Sequence, residues 1–149
     1  MMLLPRSARS ALLAVLDVAL HARGRPVSSK ELAARHQLPP RRLEGMLQAL
    51  VHAGVLKSLR GPSGGYELAR ERRRLSLAEI VRVALRAEEA IGDPREGPPS
   101  FEAALTPALE EIEADIFARL GAISIEDLYA KALANGLSDG GEAGGDFAI

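Results

Sequence analysis

Basic and amide-bearing side chains, rather than nucleophiles, are the groups in this sequence whose spacing suggests chemistry. Lys57 and Arg60 run directly into Gly61-Pro62-Ser63-Gly64-Gly65, a turn so poor in side chains that its amides can approach another surface closely. Arg41 and Arg42 stand at the start of a predicted helix, with Gln48 further along it. The arginine fork matches the O6 and N7 acceptors of guanine, while glutamine can read adenine or hold a phosphate. Ser28, Ser29 and Lys30 open another predicted helix, where free amides and the dipole favour a phosphate, although Ser28 serves first as a cap. Arg6 and Arg9, at the head of the first helix, can add backbone contacts. What these groups share is an affinity for a polyanion. Each also has a plain structural reading, since glycine-rich turns are common and arginines often solvate a helix face.

Catalytic chemistry finds little support. The absence of cysteine excludes disulfides, a thiol nucleophile and thiolate metal ligands. His21, His36 and His52 fall near the C-terminal ends of predicted helices, where the dipole favours a cation, and no two are at ligand spacing. Asp93 and Glu96 could take a hard cation, but they lie in a proline-rich stretch that reads more simply as solvated loop. The glycine spacing of the turn does not fit a nucleotide phosphate loop, and no triad or carboxylate pair with an evident pocket is present. The sequence therefore points to no metal, no cofactor and no enzyme.

Charge separates along the chain. Residues 1–74 carry 14 Lys+Arg against 5 Asp+Glu, a balance of +9, and the remainder carries 5 against 15, a balance of −10. One half suits a polyanion, although the halves could equally attract each other. At 149 residues the chain makes one domain, or one with a dimerisation appendage. Aromatic content of 3% leaves the core to Leu, Val, Ile and Ala, which favours helices. No apolar run is long enough to cross a bilayer, and Arg6, Arg9 and Asp17 interrupt the first one at helical intervals, so a cytoplasmic protein is expected.

The elements that must position these groups follow from periodicity. Ala8, Ala11, Leu12, Val15, Leu16 and Ala19 share a face of a helix over 6–21. Ser28 and Glu31 form a capping box for a short helix to about His36, burying Leu32 and Ala33. A tight turn at 37–39 leads to a second helix opened by Pro40, with Leu43, Met46, Leu47 and Leu50 inward, Gly45 leaving a gap outward, and Gly54 as the stop. Strands over 55–60 and 66–70 flank the bare turn. Two short helices and then a hairpin is the order of a winged helix-turn-helix, in which Arg60 would enter a minor groove.

Further on, Arg70 to Arg74 make a basic connector, and Ser76 and Glu79 form a second capping box. That box opens a helix whose Leu77, Ile80, Val81, Ala84 and Leu85 share a face. Residues 91–100 read as irregular, and 101–120 as the longest helix. There Leu105, Leu109, Ile112, Ile116 and Leu120 repeat close to a coiled-coil seam, and Pro107 either kinks the helix or begins it with Thr106 as cap. Ser124 and Asp127 open a last helix to about Leu133, ended by Asn135-Gly136, and residues 138–149 read as disordered. The expected fold is mainly α with a small β-hairpin wing. Residues 1–90 form the DNA-binding unit, 91–100 a loop, 101–136 the dimerisation and C-terminal helices, and 137–149 a tail.

The run from Gly61 to Arg70, GPSGGYELAR, resembles the wing signature of the Rrf2 family of bacterial transcription regulators. The likeness extends through Leu43-Glu44, Ala53-Gly54-Val55-Leu56 and Ser124-Ile125-Glu126-Asp127-Leu128, covering roughly 9–133. It implies a homodimer held by the long helix, bound to double-stranded DNA at a pseudo-palindromic operator, usually as a repressor. Arg60, Gly61 and the turn glycines carry over as wing contacts. Many members hold an iron–sulfur cluster through three cysteines before the long helix, and here 86–100 has none, so cluster and redox sensing do not carry over. Control by a small molecule, by a partner protein or by no effector is left open. Pro39 replaces a serine common in relatives, and Arg42 and Gly45 replace tyrosine and glutamine, so the operator should differ. The competing reading is a winged-helix interaction module using its basic face on a protein or membrane surface.

Overall fold

The structure, a computed structural model, describes residues 3–89 and 98–137. Helix α1 (Arg6–His21) runs through the centre of the protein. Its alanines Ala8, Ala11 and Ala14 are fully buried, and such small side chains let neighbouring helices approach its backbone. Helices α2 (Ser29–His36) and α3 (Pro40–His52) pack on it and on each other. Proline suits the first position of α3 because its missing N–H would be unpaired there anyway. Beyond α3, Gly54 takes φ +75°, the left-handed conformation that glycine adopts at no steric cost.

Strands β1 (Leu56–Leu59) and β2 (Gly65–Leu68) pair antiparallel, with Leu56 opposite Leu68 and Leu59 opposite Gly65. Val27, just before α2, exchanges two backbone hydrogen bonds with Tyr66, at 3.0 and 2.7 Å. The wing is thereby stitched to the entry of the helix-turn-helix. A 3-10 turn (Arg72–Arg74), α4 (Leu77–Glu89), α5 (Pro99–Gly121) and α6 (Ile125–Ala134) follow. Helix α6 returns to the main body: the Ile125 N–H bonds the Leu75 carbonyl at 2.8 Å, and the Leu77 N–H bonds that of Ile123 at 2.9 Å. Arg72 lies over the Tyr129 ring at 3.6 Å and bonds Glu126 at 2.6 Å. Helix α5 has no fully buried residue, but near its C-terminal end half-buried Phe117 and Leu120 pack against the core, and Arg82 of α4 lies over the Phe117 ring at 4.6 Å.

Three expectations need correction. The Ser28 and Ser76 hydroxyls accept the Glu31 and Glu79 amides at 3.1 and 3.2 Å, but those carboxylates do not reach back. Glu31 pairs with Arg25 and Arg35, and Glu79 with Arg70, because a cation is a stronger partner than a neutral amide. Only Ser124 and Asp127 complete the reciprocal cap. Helix α5 begins at Pro99 rather than 101 and continues through Pro107, and Thr106 bonds Glu102 instead of capping. The expected loop at 91–97, with Asp93 and Glu96, and the expected tail at 138–149 lie outside the described residues.

Among the described residues Asp17 is the one buried charged side chain. Burial alone would raise its pKa. The His36 hydrogen bond and the charges of Arg35, His21 and His36 outweigh that and hold it below 3.8. A carboxylate depressed in the folded state stabilises the fold above its unfolded pKa and loses that contribution as pH falls through the folded one. Urea unfolding should therefore show stability declining as pH drops below 3.8, with a shallower decline in Asp17→Asn than in the wild type.

Candidate nucleic-acid interface

The 3.6-residue period of α3 turns Leu43, Leu47 and Leu50 into the core and leaves Arg41, Arg42, Gly45 and Gln48 exposed. The charge on these arginines is uncommitted: among the described residues neither has an ion-pair partner, and the same holds for Arg9, Lys30 and Arg60. Arg35, Arg70, Arg72 and Arg73 are engaged internally with carboxylates. The two sets differ in what they can do. A cation already held by a carboxylate must break that pair to meet a phosphate, and an unpaired one need not. Lys57 is intermediate, facing Glu67 across the strands at 3.4 Å with more than half its side chain exposed.

The wing tip divides in two. Arg60, Gly61, Pro62 and Ser63 are exposed, and the Gly64 amide closes a turn onto the Gly61 carbonyl at 2.9 Å. Gly64 and Gly65 point the other way and are half-buried. A Cβ at Gly64 would stand 2.3 Å from the Leu59 carbonyl oxygen, and one at Gly65 would stand 2.5 Å from that of Val27. Packing thus demands these two glycines whether or not their amides meet a ligand. Tyr66 connects wing and α3 electrostatically: burial first, and then the charge of Glu44, push its phenol above 10.0. Ser28 is occupied as the cap of α2, Lys30 is exposed in the first turn of that helix, and Arg9 is exposed on α1.

Gly45 behaves differently from the wing glycines. A Cβ there meets nothing within 4 Å, so the helix tolerates a side chain. Gly45→Ala should raise stability by about 0.8–1 kcal/mol, the helix-propensity difference. Chemical denaturation checks this.

The cluster around Asp17 is absent from the sequence expectations. Its carboxylate accepts from Arg35 Nε at 2.7 Å, His36 Nε2 at 2.6 Å and His21 Nδ1 at 3.2 Å. Two of the three histidines thus converge on a carboxylate that in the sequence only interrupts an apolar run. The signal was available, since Asp17 falls on the buried face of α1, where a lone carboxylate needs partners. Among the described residues no three His, Asp or Glu side chains gather to hold a metal ion. No helix among them is long and apolar enough to cross a membrane.

Comparison with known proteins accords with this geometry. A family model named Rrf2, described as an iron-dependent transcriptional regulator, matches residues 4–131. The HTH-type transcriptional regulator IscR of Xenorhabdus nematophila is 34% identical over 129 residues, which span 85% of this chain and 79% of that one. Among solved structures, T. potens IscR superposes with a TM-score of 0.70 at 28% identity, over 92% of this chain and 93% of that one. CymR, the global cysteine regulator of B. subtilis, gives 0.66 at 28% identity, over 88% and 98%. The thiolates that hold iron–sulfur clusters are not among this chain's groups, because the sequence contains no cysteine. With a family model spanning 4–131, and with the helix-turn-helix and hairpin wing both in place, this chain belongs to the Rrf2 family of DNA-binding transcriptional regulators, which are not enzymes.

Proposed function

We propose that the protein is a homodimeric, sequence-specific repressor that binds an inverted-repeat operator through α3 and the wing, without control by an iron–sulfur cluster. The observation that carries this reading is that Arg41, Arg42 and Arg60 stand exposed and outside any ion pair among the described residues. Arg41, Arg42 and Gln48 read base edges, and Arg60 with Gly61 and Ser63 follows the backbone into the minor groove. Arg9, Ser28, Lys30 and Lys57 add phosphate contacts, and the amides of Gly64 and Gly65 support the tip. Duplication comes from α5, whose Leu105, Leu109 and Ile112 are 52%, 52% and 57% exposed in the single chain. Ile116 and Leu120, half-buried, continue the seam toward the main body. A symmetric pair would set two α3 helices about 34–36 Å apart, one turn of duplex or a multiple of it.

Selection of bound duplexes from a random pool should return an inverted repeat, and the protein should reduce transcription from a promoter carrying it. Fluorescence anisotropy on that duplex should show affinity falling roughly 10³–10⁵-fold between 50 and 200 mM salt if six to ten phosphates are neutralised. Arg60→Ala should lower the slope of log K against log salt by about 1. Arg41→Ala should relax discrimination at one base pair by about 1–3 kcal/mol. Binding insensitive to salt, or no recovered site, would remove this reading.

A further inference from the structure

We propose that Asp17 is a positioning residue for the base-reading helix: from inside α1 it clamps the last turn of α2 and so fixes the direction in which α3 departs. This rests on the DNA-binding reading above and adds to it a determinant of specificity that touches no DNA. Arg35 and His36 are consecutive, and consecutive side chains on a helix diverge by about 100°. Both nevertheless reach the same oxygen, Oδ2, at 2.7 and 2.6 Å. Two diverging arms meeting at one point restrain rotation of α2 about its axis as well as its distance from α1. His21 Nδ1 faces Oδ1 at 3.2 Å and the Asp17 carbonyl at 3.0 Å, which keeps the carboxylate itself from turning. Glu31 stands 3.9 Å behind the Arg35 guanidinium and is itself paired with Arg25.

Little slack separates this clamp from α3. Gln37 follows at once with φ +52°, the Leu38 amide bonds the Ala33 carbonyl at 3.0 Å, and Pro39 and Pro40 then fix their own φ. A small rotation of α2 is therefore passed to α3 rather than absorbed. Energetics point the same way. A buried ion cluster is weak evidence for stability, since well-packed apolar residues of similar volume often serve as well or better. Orientation is what this cluster supplies and an apolar plug would not. Base pairing by arginine and glutamine depends on that orientation, whereas phosphate attraction depends on it far less.

The test uses the full-length protein, the duplex selected by the wild type and a scrambled duplex of equal length. His36→Ala and Asp17→Asn should reduce the affinity ratio between the two duplexes about tenfold, the lower part of the range for one lost base-specific pair. The salt slope should stay unchanged, since no phosphate contact is removed. His36→Gln places an amide donor where Nε2 stands and should restore most of the ratio. An unchanged ratio in folded His36→Ala would overturn the proposal, as would an equal loss on both duplexes or failure of His36→Gln to rescue. Should Asp17→Asn fail to fold, the His36 pair decides alone, because that side chain is 21% exposed and sits at the edge of the core. A wild type that selects no duplex would instead count against the DNA-binding reading itself, a result distinct from an unchanged ratio.

Discussion

Replacing Leu109 and Ile112 together with glutamate is expected to turn the protein into a monomer and to weaken operator binding by roughly 10²-fold or more. Both side chains are more than half exposed, on a helix none of whose residues is buried. At ~1.5 Å per residue this helix is about 35 Å long, and Phe101, at 72% exposure, adds to the apolar surface near its start. A run of exposed apolar side chains from Phe101 to Ile112 along one helix is a sign of a partner. In a two-fold pair the substitution sets four like charges along one seam, where juxtaposed like charges cost several kcal/mol. The fold of the single chain should survive, because the changed positions touch none of its core, and circular dichroism would verify that. Sedimentation gives the mass. The DNA effect follows from losing the second half-site, which in the dimer binds at high effective concentration. A double variant that still sediments as a dimer, or a wild type that is already monomeric, would sink the duplicated-helix reading.

Among the described residues the periodicity of the chain located the six α-helices, though not the start of α5 or the 3-10 turn at Arg72–Arg74, because burial of one face against a common core is a local pattern that a sequence displays. It also separated the inward leucines of α3 from the outward Arg41 and Arg42, so the exposed basic face of that helix was legible in the sequence. What it missed involves residues far apart in sequence or competition between partners. His36 meets Asp17 across nineteen positions, and Arg72 meets Glu126 across fifty-four, at distances no local window covers. The two half-formed capping boxes failed for a related reason, as an arginine brought in by the fold drew away the carboxylate that would have turned back. At Pro107 the helix continues rather than begins. The proline ring forfeits the bond to the carbonyl of Ala103, but Ala103 is exposed, and water can take the orphaned oxygen. Proline at 99 suggests a loop, but a fixed φ near −65° equally suits the first turn of a helix, and Pro99 is used that way.

Gly65→Ala should destabilise the protein by roughly 2–4 kcal/mol, a large share of the ~5–15 kcal/mol that holds a domain together. The added Cβ would lie 2.5 and 2.6 Å from the carbonyl oxygen and carbon of Val27, and 2.9 Å from the Ser28 nitrogen. All three are backbone atoms, so no flexible side chain can swing aside. Relief requires the wing to move away from the segment before α2, and that movement breaks the paired Val27–Tyr66 hydrogen bonds. The loss should be visible as a lower urea midpoint, while Gly45→Ala in the same protein moves the midpoint upward. Function should suffer beyond stability. Val27 leads directly into the Ser28 cap of α2, so detaching the wing disturbs both the placement of Arg60 and the start of the helix-turn-helix. At a temperature where the variant is still folded, its operator affinity should fall more than that of Arg60→Ala, which deletes one contact and leaves the frame intact. Equal stability of Gly65→Ala and the wild type would mean that the wing is not stitched to that segment, and Gly65 would then have to be explained by DNA contact instead.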